Sequence, residues 1–182
     1  MKRLAVFAAI AFAAAPLAAS AQAPQPYAGF EARPIKALSD EQIADLKAGR
    51  GMGLALAAEL NGYPGPTHVI ELAEPLTLSA AQRAKVQELF AAMQGETVPL
   101  GERLIAQETE LDRQFAGKTI TEASLVAATQ TIGATQAALR AAHLKYHLAT
   151  IAVLAPAQVQ RYAELRGYAG GAQAGHGAGH RH

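Results

Sequence analysis

Leu78-Ser79-Ala80-Ala81-Gln82 decides the fold, because it launches the main element of the chain. A Ser at N-cap accepts a hydrogen bond from an early orphan N–H of a helix, and a Gln at N3 reaches back to the cap's own N–H. The arrangement recurs at Leu38-Ser39-Asp40-Glu41-Gln42 and, degraded, at Leu154-Ala155-Pro156-Ala157-Gln158. Ala155 cannot cap, and Pro156 at N1 partly compensates by presetting the helical φ. The preceding Leu stands at N′ each time, with Ile43 and Val159 at the matching N4 positions of the first and third copies and Arg83 in the second.

Behind Ser79 the sequence predicts one long helix to about Phe115. Phe90, Thr97, Leu104 and Leu111 recur every seven residues, with Met93 and Leu100 interleaved, which is the seam of antiparallel helix packing. At 1.5 Å per residue such an element is about 55 Å long. Pro99 lies within it and predicts a kink near Gly95–Pro99. After Gly117-Lys118, Thr121 caps a return helix, with Ile120 and Leu125 as a hydrophobic staple. Leu125, Ile132, Leu139, Tyr146 and Val153 keep the same seven-residue step, so the two helices form an αα-hairpin. A second apolar face, Leu144, Leu148 and Ile151, needs another partner, either the first helix or a second subunit.

The flanking segments are shorter. Ser39 opens a helix towards Leu60, weakened inside by Gly49, Gly51 and Gly53 and stopped by Asn61-Gly62 and Pro64-Gly65-Pro66. Those glycines are no dinucleotide fingerprint, since no strand precedes them and the third spacing fails. Thr67 is placed to cap a short helical segment through Ala73, and a last helix spans Pro156 to Arg166. The fold class is therefore all-α: a long kinked antiparallel hairpin with shorter flanking helices, cradle-like and dimeric through its second apolar face.

The ends read differently. Lys2 and Arg3, the apolar run Leu4 to Leu17 and the Ala19-Ser20-Ala21 cleavage pattern make residues 1–21 a signal peptide, and hence an exported, periplasmic protein. A retained signal anchor is the competing reading. Residues 22–38 form an extended arm with three Pro, residues 39–167 the helical domain, and residues 168–182 a Gly/His tail that cannot bury a core. The chain has no cysteine, so packing alone must stabilise it, and thiolate metal sites and thiol catalysis are excluded. Sixteen basic residues against 15 acidic give no excess of cations for nucleic-acid phosphates. No nucleophile elbow or P-loop is present, so no enzyme is expected.

Chemistry concentrates in the histidines. His143 and His147 are four apart, which puts both rings on one helical face able to grip one metal ion. Leu144 stands where a zincin would carry its general base, so the pair is not a protease site. Zinc wants three or four ligands; His68, with Glu71 one turn on, is the next donor, and Glu59 a weaker one. The bland alternative is that His143 and His147 merely flank the Leu139–Tyr146 stripe. His176, His180 and His182, set among glycines in the tail, would take divalent metal loosely without any fold.

The repeated motif resembles the LTxxQ signature of the Spy/CpxP family, here with Ser or Ala where that family usually carries Thr, and the resemblance runs from about Leu38 to Tyr168. The group includes ATP-independent periplasmic chaperones, envelope-stress accessory proteins, heavy-metal sensors and a zinc-resistance-associated protein that also ends in a His/Gly tail. The resemblance implies a metal site built from His pairs and carboxylates of different helices, and Zn2+ or another divalent transition metal as the ion. The function expected is a metal-associated stress protein acting as a holdase on unfolded client proteins. A dedicated heavy-metal sensor or resistance protein signalling to an envelope-stress sensor is the alternative. A homodimer is expected, and no nucleic-acid partner.

Overall fold

The computed structural model describes residues 25–168. The expected signal peptide and the tail histidines His176, His180 and His182 lie outside them. Six α-helices follow a 3-10 turn at Phe30–Ala32: α1 Asp40–Lys47, α2 Leu56–Glu59, α3 Pro66–Glu71, α4 Ala80–Ala116, α5 Glu122–Ile151 and α6 Pro156–Leu165. No strand occurs among the described residues, and α4 packs along α5 as the expected hairpin.

The capping logic holds in atomic detail. Ser39 Oγ accepts from Gln42 N at 3.1 Å while Ser39 N donates to Gln42 Oε1 at 2.8 Å. Ser79 and Gln82 repeat the pair at 3.2 and 3.0 Å. In the third copy only half survives, Ala155 N donating to Gln158 Oε1 at 2.8 Å. The two glutamines also meet each other. Gln82 Nε2 donates to Gln158 Oε1 at 2.8 Å and to the Val153 carbonyl at 2.9 Å; Gln158 Nε2 donates to Gln82 Oε1 at 3.1 Å and the Leu76 carbonyl at 3.2 Å. The motif therefore starts helices and also ties the start of α4 to the start of α6.

Two local expectations change. The helix expected from Ser39 to Leu60 breaks after Lys47 and resumes only at Leu56. Gly49, Met52 and Gly53 all take positive φ, at 64°, 43° and 81°, which no helix tolerates. Thr67 does not cap; α3 begins at Pro66, whose lack of an N–H costs nothing at N1, behind Gly65. Pro99 lies within α4, which runs unbroken from Ala80 to Ala116. In the segment read as an arm, Ile35 and Leu38 are buried.

Two apolar cores form along the hairpin. One gathers Val69, Leu76, Val86, Leu154 and Tyr162; the other gathers Ile35, Leu38, Leu46, Leu104, Ile132 and Leu139. Between them on α4 come Phe90, Met93 and Gln94, and between them on α5 come His143 and His147. That middle stretch borders a cavity of about 480 Å3.

Candidate metal centre

Four of the sequence-predicted donors line this one cavity: His143 and His147 from α5, and His68 and Glu71 from α3. Glu59 at the end of α2 lines it too, as do Met52 in the glycine-rich loop and Met93 on α4. The pair on α5 is buried rather than set at a solvated boundary. His143 is 3 % and His147 7 % exposed, where a solvated boundary side chain would be far more open.

Each ring has a definable state. His147 Nδ1 lies 2.6 Å from the Tyr63 carbonyl, which can only accept, so the N–H is on Nδ1 and the Nε2 lone pair is free when the ring is neutral. His68 Nδ1 lies 2.9 Å from Glu71 Oε2, so by the same reasoning it donates there and leaves Nε2 open. An oxygen acceptor on the distal N–H is how metal-binding histidines are oriented. His143 Nε2 is buried without a hydrogen-bond partner among the described residues. Burial pushes the His143 pKa down, and the neighbouring His147 adds to the shift, so the ring is held in the neutral form that binds metal.

Gly65 keeps the ring of His147 clear. A Cβ there would stand 2.7 Å from both His147 Cε1 and Nε2, so any side chain would invade the nitrogen that is free to bind. Glu59 stands behind the same ring. It is 7 % exposed, its Oε2 has no hydrogen-bond partner among the described residues, and that oxygen lies 3.8 Å from His147 Nδ1. On its other side Oε1 accepts hydrogen bonds from Tyr162 and, at 3.2 Å, from Tyr168. Arg166 Nε stands 3.6 Å from it.

The donors share a cavity without forming a finished coordination set: among the described residues no three His, Asp or Glu stand close enough to hold one ion. The chemistry of the residues nevertheless fits a transition metal. Three imidazoles, two with their distal N–H engaged and one with an orphaned nitrogen, suit a borderline ion such as zinc, copper or nickel. Sequence spacing brought out the histidines and Glu71. It missed Gly65, the Tyr63 carbonyl and Met93, because Tyr63 and His147 are 84 residues apart and no local period links them.

Residues 51–161 match the heavy-metal resistance family, and the chain belongs to it. The matched segment contains the cavity's three histidines, and the family is the Spy/CpxP-like group that the repeated motif resembles. Comparisons with curated proteins and with solved structures return no match.

Proposed function

We propose that this chain is a periplasmic metal-responsive resistance protein that takes a divalent transition-metal ion into the cavity between its two cores. His143, His147 and His68 would hold the ion through Nε2, and Glu71 would orient His68. The observation that carries the reading is His143 Nε2, a buried nitrogen with no hydrogen-bond partner among the described residues, on a ring kept neutral by burial. Leaving such a group unsatisfied costs about 1–3 kcal/mol, which a ligand would recover. The ion would supply charge and coordinate bonds; the chain supplies a buried His143 ring held neutral by burial and a fixed tautomer at His147. No catalytic step is part of this reading.

Isothermal titration with zinc chloride tests it, using the full-length chain with His176, His180 and His182 changed to Ala so that the tail is silent. Binding of one ion per chain is expected, and His143→Ala should abolish it. Binding only in the chain with an intact tail would refute the folded site and return metal association to the tail.

A holdase role is the second reading, and one observation favours it. Leu56, Leu60 and Leu148 are 54 %, 58 % and 60 % exposed, so α2 and α5 offer apolar side chains that a lone chain leaves uncovered. Suppression of an unfolding client's aggregation without metal, lost in a Leu56→Ser/Leu60→Ser/Leu148→Ser variant, would support it.

A further inference from the structure

We propose that Glu59 is a positioning residue that couples the metal cavity to helix α6, so that an ion in the cavity tightens the C-terminal end of the domain. The inference rests on the metal reading above. One carboxylate faces two ways. Its Oε2 borders His147, 3.8 Å from Nδ1, and has no hydrogen-bond partner among the described residues. Its Oε1 receives the hydroxyls of Tyr162 and Tyr168 and stands 3.6 Å from Arg166 Nε. Tyr162 lies within α6, and Arg166 and Tyr168 follow its last turn. Glu59, Tyr162 and His147 are all buried, with exposures of 7 %, 2 % and 7 %.

The coupling follows from the two states of α6. With α6 docked, the tyrosines hold the carboxylate against His147. An ion on His147 Nε2 places positive charge on that ring, and a buried carboxylate beside it attracts that charge far more strongly than one in water. With α6 released, Glu59 loses its hydroxyl donors and is free to turn to solvent, and the attraction goes with it. The ion therefore binds the docked state more tightly, and by reciprocity it stabilises docking by the same factor.

Amide hydrogen exchange of α6, measured with and without saturating zinc on the full-length chain with the tail histidines changed to Ala, tests the coupling. Zinc should slow exchange across Gln158–Leu165 by a factor on the order of 5–50. Tyr162→Phe, which removes the hydroxyl and keeps the ring, should weaken zinc binding in titration by a similar factor, and Tyr168→Phe by less. Glu59→Gln keeps an acceptor for the tyrosines but no charge; it should leave α6 docked without zinc and remove the response to it. Zinc binding that leaves α6 exchange unchanged, or a Tyr162→Phe chain that folds and binds zinc as the parent does, would overturn the coupling and leave the metal site standing. Failure of the parent to bind zinc at all would overturn both.

Discussion

Gly101→Ala is the sharpest test of how α1 sits on α4. Alanine is ordinarily the better helix residue by about 1 kcal/mol, so in an open helix the change stabilises. Gly101 is buried, and a Cβ there would stand 2.3 Å from the Leu46 carbonyl oxygen, 2.9 Å from its carbon and 3.2 Å from its Cα. Those are backbone atoms with no rotamer to change, so α1 must retreat by roughly 1 Å to reach ordinary contact. Leu46, 2 % exposed, packs in one core with Leu104, and Ile43 leans on the same cluster. Overpacking of this kind costs about 1–3 kcal/mol. Set against the propensity gain, the net expectation is a loss of up to about 2 kcal/mol, or a melting point lower by up to roughly 8 °C at 2–4 °C per kcal/mol.

Two other glycines supply the control. Gly95 in α4 and Gly133 in α5 are exposed, and a Cβ at either meets nothing within 4 Å. Ala at each should raise stability by about 0.5–1 kcal/mol. The same substitution thus carries opposite signs at three helical positions. Urea unfolding followed by circular dichroism at 222 nm measures all three; a Gly101→Ala chain as stable as the Gly95→Ala and Gly133→Ala chains would refute the close approach of α1.

Ser79→Ala should lower stability by about 1 kcal/mol, and Ala155→Ser should raise it by that much or less, because one removes and the other completes a capping box; unchanged urea midpoints would show the motif idle as a cap. The Glu96 pKa is held below its ordinary value of 4.5, first by the hydrogen bond from Lys145 and then by that from the Tyr146 hydroxyl. A depressed folded pKa stabilises above the unfolded value and fades as pH falls through the folded one. Glu96→Gln should therefore be less stable than the parent at pH 7, with the difference closing below about pH 4.5; a gap independent of pH would contradict it. Gly65→Ala should weaken zinc binding by about 10–100-fold by displacing the His147 ring, which titration would detect while the far-ultraviolet spectrum stays unchanged.

Local signals carried the fold. The cap residues Ser39, Ser79 and Thr121 each start a helix where the sequence puts it, since capping needs only four neighbouring residues. The seven-residue stripe likewise identified Met93, Thr97, Leu104, Ile132, Leu139 and Tyr146, all buried. The break at Gly49–Gly53 was harder to read. Glycine weakens a helix whether or not it ends it, and only the fold selects the left-handed φ that Met52 also adopts. At the candidate site, His143 and His147 follow from a spacing of four. The Glu59–Tyr162 bond joins residues 103 apart and leaves no trace in any window of sequence.

Histidine at position 143 is a poor choice for stability alone. The seam residues before it on α5, Ile132 and Leu139, fill an apolar core, and Leu154 beyond the helix fills the other. His143 stands one turn beyond Leu139 and is itself buried, a place that ordinarily takes an apolar side chain, yet here a buried nitrogen lacks a hydrogen-bond partner among the described residues. The two cores on either side fix the spacing of α4 and α5, so the middle can carry an imidazole without the hairpin collapsing onto it. His143→Leu should therefore stabilise the metal-free chain by about 1–3 kcal/mol, by removing an unsatisfied buried group. It should also remove any stabilisation by zinc, since a ligand raises stability only through binding the native state. Paired thermal melts with and without zinc read both effects at once. A His143→Leu chain less stable than the metal-free parent would mean that the ring is already satisfied in its pocket, and the argument for a ligand there would fall.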